Sequence, residues 1–114
     1  MIRVRVNGKP GKVEAFLVWG HAHSAAYGED LVCAAVSAVA TTALKGLIKK
    51  ACGSVRYCVL PQGLIYCRLS AGMTETAARD AQVIVEVMLL GLEAIRNAHP
   101  KNISVKWALS GNMD

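Results

Sequence analysis

Apolar residues recur with two different spacings along this chain, and the change between them constrains the fold. The segment Met1 to Val6 alternates apolar residues with arginines, and a second β-prone run, Val13 to Trp19, follows a turn of Asn, Gly, Lys and Pro. A period of two predicts a β-hairpin. Two further runs, Val55 to Leu60 and Leu64 to Leu69, are separated by a Pro-Gln-Gly turn, which predicts a second hairpin.

Two longer segments have the spacing of a helix. From Asp30 onwards apolar residues recur at steps of three and four, and the pattern fades near Lys50. Asp30 is a good N-cap and is expected to begin this helix. A second amphipathic segment is expected to start at or near Thr74 as its cap and to end before Pro100. A final alternating run, Ile103 to Leu109, predicts a closing strand.

The resulting order is β-β-α-β-β-α-β. It predicts an α+β fold in which two helices pack on a mainly antiparallel sheet. A chain of 114 residues is long enough for one core, and no linker, repeat or low-complexity segment interrupts it. We therefore expect a single domain over residues 1–114. Dimerisation is one way in which such a small apolar-rich domain could protect a sheet edge or face.

The first residues and the hydropathy pattern predict where in the cell the protein is located. No run of about eighteen uninterrupted apolar residues is present, so no membrane-spanning helix is expected. The first residues have the pattern of a strand, without the apolar core and small-residue cleavage site of a signal peptide. These features predict a cytoplasmic protein that does not bind a membrane.

The net charge of +5 suggests an anionic neighbour such as RNA. A modest basic cluster consists of Lys45, Lys49, Lys50 and Arg56, and no aromatic residues interleave with it. Lysines are favoured at the end of a helix by the helix dipole, so a solvated helix end is the preferred interpretation. RNA contact is a weaker alternative.

The chain has four cysteines without a C-x-x-C pair, and its histidines lack the spacing of a zinc site, so no metal or organic cofactor is expected. In a cytoplasmic protein, Cys52, Cys58 and Cys67 are expected to be reduced and packed as small apolar residues. Cys33 is different, because it follows a loop that contains two histidines.

The surroundings of Cys33 suggest a nucleophile. With Asp30 as the N-cap, Cys33 would be the third helical residue, where free backbone N–H groups and the helix dipole stabilise a thiolate. The carboxylates of Glu29 and Asp30 oppose this effect, so a cationic partner is needed. His21 is the natural partner and could donate a proton to a leaving amine, while His23 is a competing base.

Three neighbouring residues each have two interpretations. Asp30 could orient the imidazole, although the cap is the preferred role. Ser37 lies one turn after Cys33 on the same helical face, where its hydroxyl could bond to the site or to the carbonyl one turn back. Gly20 and Gly28 suggest a mobile loop, although loop glycines usually supply turns.

The whole segment resembles the signature of the bacterial ribosomal-processing cysteine proteases, the Prp family. The resemblance rests on Gly20-His21-Ala22, Gly28, Asp30-Leu31-Val32-Cys33-Ala34-Ala35 and Ser37-Ala38, and it extends to the order of the elements. It implies a cysteine endopeptidase with Cys33 as nucleophile and His21 as proton donor and acceptor. Asp30 and Ser37 would support catalysis, and Gly20 would be the hinge of a loop that orders over the peptide.

The same resemblance implies the substrate and the assembly. Members of the family remove the N-terminal extension of large-subunit ribosomal protein twenty-seven near a pair of phenylalanines, which supports ribosome assembly, and they form homodimers. Leu31 replaces the usual isoleucine, and the basic charge argues against electrostatic steering of a basic substrate. Recognition is then expected through apolar pockets and extended backbone pairing.

Two other classes of function remain open from the sequence. One is a ribosome- or RNA-associated binding module without catalysis, which the positive charge would suit. The other is a thiol redox protein, although no obvious resolving cysteine lies near Cys33.

Overall fold

The computed structural model of this protein describes residues 1–20 and 27–108, with side chains from residue 31 onwards in the second range. Its elements follow the predicted order. They are β1 (Ile2–Lys9), β2 (Lys12–Trp19), α1 (Tyr27–Lys50), β3 (Val55–Leu60), β4 (Leu64–Leu69), α2 (Glu75–Ala98) and β5 (Ile103–Ala108).

The five strands form one sheet in the order β3-β4-β2-β1-β5. The two hairpins and the β2–β4 pair are antiparallel, whereas β1 and β5 are parallel. The predicted mainly antiparallel α+β fold is therefore confirmed. A register shift between Asn7 and Gly8 leaves Glu14 as an extra residue in β2, because Asn7 pairs with Ala15 and Gly8 with Val13.

Both helices cover the same face of the sheet, α1 over β4 and α2 over β2 and β5. The core between the layers contains Val4 and Phe16 from the strands and Leu47 and Leu92 from the helices, all fully buried. Burying each of these side chains contributes about 1.5–3 kcal/mol. The helix layer leaves most of β3 uncovered: Val55 packs against the core, whereas residues 56–60 are exposed.

Helix α2 begins and ends as its sequence signals predict. The Thr74 side chain caps it, with Oγ1 accepting a hydrogen bond from the Ala77 N–H at 3.1 Å. At the other end, the His99 N–H donates to the Ile95 carbonyl at 2.8 Å. His99 itself is exposed, as expected of a surface residue.

The predicted start of α1 was wrong. The helix begins at Tyr27, so Asp30 is its fourth residue rather than its N-cap, and Cys33 is the seventh rather than the third. Residues 27–29 contain no proline, and glutamate is a good helix former, so the helix begins three residues before Asp30 although Gly28 disfavours helical backbone. Cys33 consequently lies beyond the first turn.

Helix α1 is strongly apolar although it contains no uninterrupted apolar run of about eighteen residues. Its segment Leu31–Lys50 is long and apolar enough to cross a membrane, with a mean hydropathy of 1.9, and 33% of it is buried. Uncharged Ser37, Thr41 and Thr42 interrupt the apolar run without making the helix polar. The buried side of α1 packs in the core, which accounts for part of this apolar character.

Candidate active site

Cys33 lies on the flank of α1 that faces away from α2. The two helices meet where a Cβ on Gly46 would lie 3.6 Å from Ile84 and a Cβ on Gly91 would lie 3.3 Å from Val39. Successive residues of an α-helix are about 100° apart, which turns Cys33 well away from Val39 and Gly46. Since α1 covers β4 and α2 covers β5, the Cys33 flank faces the uncovered strand β3.

We define the α1–β3 cleft by Cys33 and Ser37 on the helix and by Tyr57 and Val59 on the strand. Tyr57 pairs with buried Cys67, so the alternation of the strand turns Tyr57 and Val59 towards the helix side of the sheet. Tyr57 is 54% exposed and Val59 is 53% exposed. The cleft therefore combines a thiol with an apolar floor.

The four thiols differ sharply in exposure. Cys67 is fully buried, as predicted, and burial raises the pKa of its thiol to about 12. Cys52 and Cys58 are exposed, contrary to prediction, because Cys52 follows the end of α1 and Cys58 belongs to the uncovered strand β3. Cys33 is half-buried and packs against the core. It is the thiol that borders the α1–β3 cleft.

Only the backbone N–H groups at the start of α1 lack an acceptor within the helix, and Cys33 lies beyond them. The first four N–H groups of an α-helix have no acceptor within the helix, and in α1 these belong to residues 27–30. The N–H of Cys33 is too far along to be among them. The field of a helix start also falls off within its first turn, so a thiolate at Cys33 depends on a cationic neighbour.

The structure describes only some of the residues that were predicted to lie beside Cys33. His21 and His23 lie outside the described residues, as does the side chain of Asp30. Ser37 is exposed, and within residues 1–20 and 31–108 its hydroxyl has no hydrogen-bond partner. The alternative in which Ser37 bonds the carbonyl one turn back is thus not found.

Gly20, where β2 leads into the histidine loop, is held in a conformation that suits only glycine. Its φ is +89°, and a Cβ would lie 2.5 Å from the backbone oxygen of Met1. Both the left-handed backbone and this close approach exclude a larger residue without rearrangement. The predicted role of Gly20 as a hinge remains a prediction.

Residues 1–104 match the sequence family of cysteine protease Prp. The chain belongs to the Prp family. It is accordingly a cysteine protease, a hydrolase, and the predicted enzyme class is confirmed.

Several Prp proteins are similar to this chain. The ribosomal processing cysteine protease Prp of Bacillus subtilis (strain 168) is 32% identical over 93 residues, which are 80% of this chain and 82% of the relative. The essential ribosomal processing protease Prp from S. aureus, solved with a substrate peptide, has a TM-score of 0.79 and 27% identity, covering 95% of this chain and 100% of that one. The same protease with a covalently linked product peptide has a TM-score of 0.77 and 28% identity, with the same shares covered.

A groove of about 920 Å³ lies away from Cys33. It is bordered by Lys12, Gln82, Arg56 and Arg68. Lys12 is the first residue of β2, whereas the chain reaches α1 from the last residue of β2. This groove, which Cys33 does not border, is therefore not assigned as the active site.

Metal ligands are not grouped in the part of the chain that the structure describes. Within those residues, no three His, Cys, Asp or Glu side chains are close enough to share a metal ion.

Proposed function

We propose that this protease removes the N-terminal extension of large-subunit ribosomal protein twenty-seven, and so supports ribosome assembly in the cytoplasm. The B. subtilis relative and the S. aureus protease are both named as ribosomal processing proteases. The segment from Gly20 to Ala38 also resembles the signature of this family. The observation that carries the proposal is a half-buried thiol, Cys33, on the flank of α1 turned towards β3, where Tyr57 and Val59 are about half exposed.

In the proposed reaction, the Cys33 thiolate attacks the scissile carbonyl carbon. The carbonyl π electrons move to oxygen, which becomes an oxyanion. Free N–H groups at the start of α1, in residues 27–30, are the proposed oxyanion donors. Burial excludes Cys67 from this role, because a thiol with a pKa of about 12 stays protonated at neutral pH.

His21 is the proposed acid and base. As an imidazolium it pairs with the Cys33 thiolate and then protonates the leaving amine, so that the C–N bond breaks and a thioester remains. Neutral His21 next takes a proton from water, which attacks the thioester and releases the carboxylate product and the Cys33 thiolate. Asp30 and Ser37 are proposed as supporting residues, and Gly20 as the hinge of the loop.

The α1–β3 cleft is the proposed peptide site. An extended peptide that lies between α1 and β3 would place its aromatic side chains on Tyr57 and Val59, both about half exposed. The outer edge of β3 has no strand partner in the described sheet, so its backbone is available to a peptide. This mode of binding uses apolar contacts and backbone pairing, and it does not require negative charge.

A cleavage assay tests the reaction. The substrate is a peptide that copies the N-terminal extension and junction of the host's ribosomal protein twenty-seven, and the assay compares wild type with Cys33→Ala and His21→Ala under reducing conditions. Cys58→Ala is the matched control, because Cys58 is exposed on the far side of the edge strand. We expect wild type and Cys58→Ala to cut and the other two variants to be inactive. Cleavage by Cys33→Ala would refute the assignment of the nucleophile.

We also propose that the protease is a homodimer that associates through an exposed helix face. Val83, Val87 and Leu90 on α2 are 53%, 62% and 62% exposed, respectively. Val83 and Val87 also border a groove of about 620 Å³ between α1 and α2 that Gly46 and Gly91 help to line. Apolar knobs beside an apolar groove can complement a second copy about a two-fold axis.

Mass measurement in solution tests the dimer. We expect wild type to have twice the mass of one chain, and Val87→Glu to have the mass of a monomer, because a buried charge without a partner opposes association. Val59→Glu is the control, since Val59 is about as exposed but lies on β3. A monomeric wild type, or a dimer that Val87→Glu leaves intact, would exclude this interface.

A further inference from the structure

The sheet face opposite the helices carries a set of cations, and we call it the open face. Strand alternation and register assign its members, because side chains directly across a ladder lie on the same face. Within residues 1–20 and 27–108, no helix covers this face. Its cations are Arg3, Arg5, Lys9, Lys12, Arg56, Arg68 and Lys106.

Three pairs of these cations are direct neighbours. Arg56 lies opposite Arg68 across the β3–β4 ladder, and Arg5 lies opposite Lys106 across the β1–β5 ladder. Lys9 lies opposite Lys12 at the end of the β1–β2 hairpin. Arg56 and Arg68 are both exposed, and neither has an ion-pair partner among the described side chains. Like charges directly opposite each other destabilise a sheet. A bound polyanion would relieve that repulsion.

Acidic residues are few on this face. The five strands contain a single acidic residue, Glu14, which is the extra residue at the bulge of β2 and borders the same groove as Arg56 and Arg68. Four acidic residues, Glu75, Asp80, Glu86 and Glu93, lie instead on α2 in the opposite layer. The open face is therefore more strongly positive than the net charge of +5 suggests.

Aromatic side chains lie between the cations. Trp19 pairs with Arg3, and Tyr66 pairs with Leu17 of the next strand, so both rings belong to the open face and both are half-buried. The Arg5 guanidinium carbon lies 5.7 Å from the centre of the Trp19 ring. Neighbouring strands are about 4.8 Å apart, so rings and cations fall within the reach of a few nucleotides.

We propose that the open face binds single-stranded RNA. Phosphates bind the arginine pair Arg56 and Arg68 on one side and Arg3 and Lys106 on the other, while bases stack on Trp19 and Tyr66. A basic surface with interleaved aromatic rings is the arrangement that single-stranded nucleic acids require, because rings stack on any base and cations follow the backbone. The basic cluster predicted from the sequence, Lys45, Lys49, Lys50 and Arg56, contains no aromatic residues, and of its members Arg56 lies on the open face.

This RNA site and the proteolytic site are on opposite sides of the sheet. Cys33 and the helices lie on one face, and the cations and rings lie on the other. A bound RNA strand therefore leaves the α1–β3 cleft open. The proposal depends neither on the identity of the peptide substrate nor on the roles of His21 and Cys33.

Titration with a fluorescently labelled, mixed-sequence RNA 12-mer at several salt concentrations tests the proposal. The variant Arg56→Gln/Arg68→Gln removes two charges from the open face, and Lys49→Gln/Lys50→Gln removes two from the exposed end of α1. We expect the arginine variant to bind at least tenfold more weakly and its salt slope to fall by about 1.4, at about 0.7 per lost phosphate contact. The lysine variant should bind like wild type.

Trp19 provides a direct reporter of stacking. The chain has two tryptophans, so Trp107→Phe leaves Trp19 as the one source of tryptophan fluorescence. We expect RNA to quench it, and Tyr66→Ala to weaken binding by about tenfold through lost stacking. Thermal unfolding of every variant verifies folding, and the arginine variant should be at least as stable as wild type, since it loses a repulsive pair.

The proposal is overturned if RNA binding is absent at micromolar protein concentration or does not depend on salt. It is also overturned if the arginine and lysine variants lose affinity equally. Equal affinity of wild type for single-stranded and duplex RNA would overturn it as well. Finally, a lower oligomeric mass of the arginine variant than of wild type would show that the open face is instead an interface between copies of this chain.

Discussion

The side-chain amide of Gln82 hydrogen-bonds to both backbone polar groups of Val13. The Val13 N–H donates to Oε1 at 2.9 Å, and Nε2 donates to the Val13 carbonyl at 2.9 Å. Strand β4 pairs with β2 only from Ala15 onwards, so Gln82 provides the partner that a neighbouring strand would otherwise supply. The contact joins α2 to the start of β2.

Loss of this amide should destabilise the protein. Gln82→Ala leaves two partly buried backbone groups without their partner, which costs about 1–3 kcal/mol of unfolding free energy. Urea unfolding measures the change. Gln62→Ala, in the exposed turn between β3 and β4, is the control and should be within about 0.5 kcal/mol of wild type. Equal stability of the two variants would show that the Gln82 bonds contribute little.

Gly20 and Gly11 provide a matched pair of glycine substitutions. Both have positive φ, +89° and +83°, but a Cβ on Gly11 meets nothing within 4 Å, whereas one on Gly20 meets the Met1 oxygen. Gly11→Ala should cost about 1–2 kcal/mol for the left-handed backbone alone. Gly20→Ala should cost more and should also lower kcat/KM for peptide cleavage. Similar melting temperatures for the two variants would contradict the close approach to Met1.

The buried thiol of Cys67 should be protected and should make stability fall at high pH. Iodoacetamide at pH 8 should label exposed Cys52 and Cys58 in the native protein, and Cys67 only after unfolding. Because burial raises the Cys67 pKa from 9.0 to about 12, the unfolded chain loses this proton first as the pH rises. Stability contributed by the protonated thiol is therefore lost progressively between pH 9.0 and about 12.

Cys67→Ala isolates that pH dependence from other groups that titrate in the same range. We expect the free energy of unfolding of this variant, measured with urea, to fall less steeply between pH 9.0 and about 11 than that of wild type. Cys58→Ala, which removes an exposed thiol, should keep the wild-type slope. Parallel pH profiles for wild type and Cys67→Ala would show that burial does not hold the proton.

Two adjacent residues of β3 test the floor of the α1–β3 cleft. Val59→Asp places a charge where an apolar side chain of the peptide is proposed to bind, and it should reduce kcat/KM by at least about tenfold, mainly through KM. Leu60→Asp is the control, because the next residue of a strand points to the opposite face of the sheet. If both substitutions have the same effect on cleavage, the peptide does not lie on this floor.

Local signals in the sequence predicted most of the fold. The second hairpin occupies the predicted residues, because Pro61 and Gly63 confine its turn and β-prone runs flank it. Thr74 capped α2 as expected. The start of α1 was misplaced because Asp30 has the character of a cap, while residues 27–29 also accept helical backbone. Helix boundaries depend on such small differences in capping and helix propensity between neighbouring residues.

The site was predictable only in its local part. Cys33 could be singled out because the histidine loop precedes it directly in the chain. Tyr57 and Val59 could not, because their exposure depends on the order of strands in the sheet and on where the helix layer ends. The exposure of Cys58 follows from the same long-range arrangement. Alternation within one strand does not reveal its neighbours.

The parallel pairing of β1 with β5 has a consequence for the order in which the protein can fold. Ile2 lies opposite Ile103, so the strand that is synthesised first must wait for the last strand of the sheet. A nascent chain can close the β1–β2 hairpin early, but one edge of β1 stays open until residues 103–108 have been made. Such distant pairing slows folding, and an open edge invites pairing with other chains. Completion of the sheet is therefore a late step in biogenesis, at which crowding and chaperones can most affect the yield of native protease.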